Sequence, residues 1–129
     1  MLSGVCIGTN NLAAAGRFYD AVLSTLSMSC LYVDLQERGY GGEDGRIQLF
    51  INLPFNKKEA TFGNGTMIMF YAPDSKTVRE FYHTALRHGG TDEGPPGPRD
   101  FNPDYYGAYV RDLDGNKLNI SLSPEDIQS

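Results

Sequence analysis

A ten-residue stretch that returns 63 positions later without a gap constrains this chain more than any other feature. Asn11-Leu12-Ala13-Ala14-Ala15-Gly16-Arg17-Phe18-Tyr19-Asp20 reads like Asp74-Ser75-Lys76-Thr77-Val78-Arg79-Glu80-Phe81-Tyr82-His83. At the same offset Val5 falls on Ile68 and Ile7 on Phe70, so the match extends upstream into two short alternating segments. A chain of 129 residues with such a repeat reads as one domain made of two half-size units sharing a core.

Each copy opens with a strand and turns at Asn10-Asn11 or Pro73-Asp74, where an Asn or Asp oxygen can accept an unpaired helix N–H. A helix follows. Leu12, Ala15, Phe18, Tyr19, Val22, Leu23 and Leu26 recur at three- and four-residue spacing, as do Val78, Phe81, Tyr82, Ala85 and Leu86. Gly89-Gly90 suits a left-handed cap at the second helix's end. Strand-like runs come next: Cys30 to Leu35 and Arg46 to Leu53 in the first copy, Tyr106 to Asp112 and Asn116 to Leu122 in the second. Asp114-Gly115 is a hairpin turn signal, with Asp44-Gly45 at the matching place. A Ca²⁺ loop over Asp112-x-Asp114-x-Asn116 is excluded, because Lys117 and Ser123 stand where that loop needs Gly and Glu. The units span about 1–57 and 64–124, with a linker at about 54–65. Gly94-Pro95-Pro96-Gly97-Pro98 reads as a covering loop within the second unit.

Alternation along the strands separates two faces. Val5, Ile7, Leu31, Val33, Leu35, Leu49, Ile51, Ile68, Phe70, Leu118, Ile120 and Leu122 form an apolar seat for the helices. Opposite them stand Gly4, Cys6, Gly8, Tyr32, Asp34, Gln48, Phe50, Asn52, Met67, Met69, Tyr71, Lys117, Asn119 and Ser121. Thioether and aromatic groups interleaved with amides suit a cleft for a partly apolar small molecule better than open water.

Charge narrows the function classes. A net charge of −5 and a pI near 4.8, with no basic run longer than Lys57-Lys58, argue against nucleic acid and anionic membrane surfaces, and suit a cationic guest. No apolar run approaches the ~20 residues that span a bilayer, and Met1 to Asn10 lacks a signal-peptide pattern, so a cytoplasmic protein is expected. Cys6 and Cys30 lie in apolar runs and read as buried, unpaired thiols in a reducing compartment. His83 and His88 are five apart on one helix and read as solvated. No phosphate loop is present, since Gly39 to Gly45 lacks the Lys and the helix that should follow.

The string Tyr105-Tyr106-Gly107-Ala108-Tyr109-Val110-Arg111-Asp112-Leu113-Asp114-Gly115-Asn116-Lys117-Leu118 resembles the C-terminal motif of the vicinal oxygen chelate superfamily, which includes glyoxalase I, bleomycin-resistance proteins and extradiol dioxygenases. Phe18-Tyr19 and Gly63-Asn64-Gly65-Thr66 fit the same pattern. The resemblance implies an α+β fold of two βαβββ units whose curled mixed sheets form cups. It also implies a metal held by one side chain from each of four strands. Those positions fall here on Gly4, Phe50, Met67 and Asn119, with Asn52 the other candidate for the second. Gly4 and Phe50 carry no donor, Met67 is a soft thioether and Asn119 offers one neutral carbonyl, so no catalytic metal is expected there.

Three readings compete: a metal-free binding protein of the bleomycin-resistance type, a glyoxalase-like lyase or isomerase whose divalent metal is held by other residues, and a structural dimer with a vestigial cup. The first fits the missing ligands best, and no cofactor is expected with it. Its ligand would lie on Cys6, Phe50, Asn52, Met67, Met69, Tyr109 and Asn119, with Arg99 on the covering loop. A homodimer is expected, because two open cups leave sheet edges uncovered.

Overall fold

The structure, a computed structural model, describes residues 1–124. The first unit runs β1 (Val5–Gly8), α1 (Leu12–Ser24), β2 (Ser29–Val33), β3 (Glu37–Gly41) and β4 (Ile47–Asn52). The second runs β5 (Met67–Ala72), α2 (Ser75–Arg87), β6 (Thr91–Arg99), β7 (Asn102–Arg111) and β8 (Lys117–Leu122). Each is a βαβββ unit with a four-stranded mixed sheet, in the orders β1-β4-β3-β2 and β5-β8-β7-β6. The duplication holds in the hydrogen-bond register. Val5 pairs with Leu49 and Ile7 with Ile51 in one parallel ladder, Ile68 with Leu118 and Phe70 with Ile120 in the other.

Local chemistry sets the helices. Asn11 accepts from the Ala14 N–H at 3.0 Å and Asp74 from the Thr77 N–H at 2.8 Å, each filling one of the unpaired donors of a first turn. Gly89, at φ +96°, lets the chain leave α2 while Gly90 N–H returns to the Ala85 carbonyl. The helices lay Phe18, Tyr19, Val22 and Leu23, and Val78, Phe81 and Ala85, into one core with Leu49, Ile51, Leu118 and Ile120.

Three expectations about strands need correction. The Gly94–Pro98 segment is no covering loop but part of β6, an edge strand paired only with β7. Proline is tolerated there because an edge leaves one row of backbone groups unpaired, and register shifts at Gly94 and Gly97 absorb the rest. Strand β3 shows no apolar alternation, yet it lies between β4 and β2 and carries the fully buried Tyr40. Its Gly39 sits where a Cβ would come within 3.0 Å of Ile47 carbons, which accounts for the glycine that hid the strand. Finally, Leu31, Val33 and Leu35 do not seat a helix: they are 43%, 59% and 89% exposed. A register shift between Cys30 and Tyr32 breaks the alternation of β2, and Cys30 is the residue that packs on the core.

The first unit is fastened to the β7–β8 turn of the second. Asp112, buried in that turn, accepts from the Tyr19 hydroxyl at 2.5 Å and from the Asn116 amide at 2.9 Å through one oxygen. Its other oxygen accepts from the backbone N–H groups of Asp114 and Asn116, both at 2.9 Å. The Asn116 amide also donates to the Gly8 carbonyl at 3.0 Å, and Thr9 donates to Asp114 at 2.6 Å. The Asp112-x-Asp114-x-Asn116 spacing therefore makes a hairpin turn, as read from the sequence, and its side chains grip the end of β1, the connection that follows it and Tyr19 in the middle of α1. Burial pushes the Asp112 carboxyl up from its ordinary range against the pull of these donors.

Candidate functional site

Facing away from the helices, each sheet presents the mixed surface read from the sequence. On the first sheet Cys6 lies beside Phe50 on the adjacent strand, and Asn52 beside Gly8. Glu37 and Gly39 of β3 stand opposite Asn52 and Phe50. Cys6 is exposed rather than buried, because its neighbours Gly4 and Gly8 have no side chains to cover it. Partial burial and the nearby Glu37 push its thiol up, away from the thiolate.

On the second sheet Met69, Asn119 and Tyr109 form one row across β5, β8 and β7, and Met67, Lys117 and Arg111 the next. Met69 is 70% exposed, whereas Asn119 is buried. Tyr105 covers it, its hydroxyl lying across the Cα of Gly107, where a Cβ would collide with it. Asn119 donates to that hydroxyl at 2.8 Å and to the Ala108 carbonyl at 3.2 Å. Both amide hydrogens are thereby used within the protein, and only the carbonyl oxygen could meet a guest. Burial and the bond to Tyr109 push Tyr105 up to about 12, so it stays a neutral hydroxyl.

The eight residues expected at one site thus fall into two groups. Cys6, Phe50 and Asn52 share the first sheet, and Met67, Met69, Tyr109 and Asn119 the second. Arg99 ends edge strand β6, with its guanidinium 5.6 Å from the Tyr109 ring. Met67 and Met69 also line a groove of about 320 Å³ where β5 meets Leu2, Val5 and Gln48 of the first unit. A larger cleft of about 860 Å³ opens at the other end of the second sheet, over Tyr71, Tyr105, Asp104 and Ser121. Sequence reasoning missed Lys117 and Tyr105 as site residues. The signal for Lys117 was its position in the same alternation as Asn119; that for Tyr105 was its place at the head of the quoted string, two residues before Gly107, just outside the strand run read from the sequence.

The four metal positions implied by the resemblance do not suit a divalent ion. Phe50 and Met67 offer no oxygen, nitrogen or thiolate, and the Asn119 amide is engaged. At Gly4 a Cβ would lie 2.9 Å from the Gln48 carbonyl oxygen, so the backbone leaves no room for a ligating side chain. Among the described residues no cluster of three or more His, Cys, Asp or Glu could hold a metal.

No family model matches the chain, and no curated protein does. Solved structures do match. A glyoxalase/bleomycin resistance protein from Albidiferax ferrireducens is 35% identical over 96% of this chain and 99% of its own, with a TM-score of 0.86. A glyoxalase-related enzyme from Fulvimarina pelagi, 18% identical, covers 96% of this chain and 88% of its own at a TM-score of 0.77. A glyoxalase/bleomycin resistance protein/dioxygenase family enzyme from Burkholderia phytofirmans, also 18% identical, covers 93% and 96% at 0.70. The last two show the fold alone.

Proposed function

This chain belongs to the glyoxalase/bleomycin-resistance/dioxygenase superfamily, and from that premise we propose that it is a metal-free protein that binds a small, partly apolar molecule. The donor set carries the reading: the four positions to which the family resemblance assigns a metal hold Gly4, Phe50 (or Asn52), Met67 and Asn119, none of them a His, Cys, Asp or Glu. Gly4 supports it further, because a histidine there would have to displace the Gln48 backbone. Ligand contact falls to Met67, Met69, Arg99, Tyr109 and Asn119 on the second sheet, with methionines that adapt to irregular guests, while Cys6, Phe50 and Asn52 offer a separate surface on the first. Two free thiols, one of them exposed, suit a reducing compartment such as the cytoplasm. Among the described residues no helix is long and apolar enough to cross a membrane.

Purification without chelators followed by metal analysis and titration with Zn²⁺, Ni²⁺, Mn²⁺ and Fe²⁺ tests the proposal. No stoichiometric uptake is expected. Tight binding of one ion, with turnover of a hemithioacetal that Asn119→Ala abolishes, would instead make the protein a lyase.

A homodimer is part of the same proposal. The β2 edge leaves Leu31, Tyr32 and Val33 between 43% and 59% exposed, and a two-fold contact is an economical cover for such an edge. Sedimentation should show a dimer at high micromolar concentration, and a lone monomer there would refute it.

A further inference from the structure

The cup face of the second sheet carries charge of the sign opposite to the whole chain. Lys117 is half-buried, and its ammonium lies 5.2 Å from the Tyr109 ring centroid. Among the described residues it has no carboxylate partner and makes no hydrogen bond. Arg99 approaches the same ring and donates to the carbonyls of Pro95, Gly97 and Pro98. Those carbonyls are neutral, so the guanidinium charge is undischarged. Directly opposite Lys117 stands Arg111, whose charge is balanced by Glu93. Asp104 is at the other end of the face, beside Tyr71 and Ser121. Around the Tyr109 ring this face therefore carries two cations with no carboxylate partner among the described residues, in a protein of net charge −5.

A half-buried lysine can lay its stem along the sheet and keep its ammonium in water, where it remains available to an incoming anion. Lys117 has a ring face beside its ammonium and no carboxylate partner among the described residues. Met67 is its direct neighbour on β5, and Met69 stands one row along, beside Asn119. An apolar body could lie on these thioethers with an anionic end at the ammonium. We propose that the second cup takes a small carboxylate with an aromatic or apolar body, its single negative charge held by Lys117 and Arg99. The proposal rests on the binding-protein reading and narrows it: the guest is anionic, where the chain's overall charge suggests a cation. One free ammonium and one partly engaged guanidinium suit a monoanion better than a phosphate.

The chain contains no tryptophan, so naphthalene fluorescence can report binding directly. Three probes are compared: naphthalene-2-carboxylate, naphthalene-2-carboxamide and a naphthylmethyl trimethylammonium ion. The carboxylate should bind about tenfold or more tighter than the carboxamide, as a charge-assisted contact implies. Lys117→Gln should remove most of that difference and Lys117→Gln with Arg99→Gln all of it, Lys117→Arg should keep most of it, and added salt should weaken the carboxylate and leave the carboxamide unchanged. If Lys117→Gln does not fold, the arginine variant and the salt series decide the matter. Equal binding of carboxylate and carboxamide, or preference for the ammonium ion, would overturn the anion assignment and leave the binding-protein reading standing. Were none of the three retained, that reading would fall with it.

Discussion

Asp112→Ala should destabilise the protein by about 3–5 kcal/mol, measured by urea unfolding at neutral pH. The carboxylate receives four donors, from the Tyr19 hydroxyl, the Asn116 amide and two backbone N–H groups. Removing it strands those donors in a buried turn, at about 1–3 kcal/mol for each one left unsatisfied. A change below about 1 kcal/mol would mean that the turn reorganises and the two units are held by apolar packing alone. The pH dependence has a definite sign. Burial raises the folded-state pKa of Asp112 above its ordinary 3.8, so its contribution grows as pH falls through the raised value towards 3.8 and shrinks as pH rises. Asp112→Asn lacks this term. Acidification from pH 7 towards 4 should therefore cost the natural protein less stability than it costs that variant. Equal losses would show that the carboxyl titrates as it does in the unfolded chain.

Phe81→Ala should cost a comparable ~3–5 kcal/mol through a different mechanism. Phe81 is fully buried on the core face of α2, with its ring centroid 5.6 Å from that of Phe70 on β5. Truncation removes the transfer energy of a ring and leaves a cavity that neighbours close only in part. Calorimetric or denaturant unfolding reads the loss directly; a value below about 1 kcal/mol would mean that the helix does not use this face.

What could be read from the sequence was what depends on neighbours in sequence. The helices, their Asn11 and Asp74 caps, the Asp114-Gly115 turn and the repeat each follow from spacing over a few residues, and the structure has all of them. Strands β3 and β6 escaped because glycine and proline there serve close approach and an edge position, so composition read as loop. The alternation of β2 misled differently: the shift between Cys30 and Tyr32 turns Cys30 to the core, while Val33, opposite Arg38, keeps the helix side but is exposed at the sheet edge. At the candidate site the row through Asn119 could be read, because alternation on β8 is unbroken. How its amide is spent could not, since that depends on Tyr105 lying across Gly107. The grip of Asp112 on Tyr19 was equally out of reach, because it joins residues 93 apart.

The same grip has a consequence for how the two halves are connected. The β7–β8 turn holds the β1–α1 junction through side chains and backbone, whereas the covalent path from β4 to β5 is an irregular segment between Asn52 and Met67. That segment is itself part of the clasp: Ala60 exchanges two hydrogen bonds with the Asn10 side chain, at 2.7 and 3.3 Å, and the Phe62 ring lies 5.2 Å from the Arg111 guanidinium. The two halves are thus clasped at three places, the turn, the connecting segment and the shared core, so that loosening one leaves the other two in place.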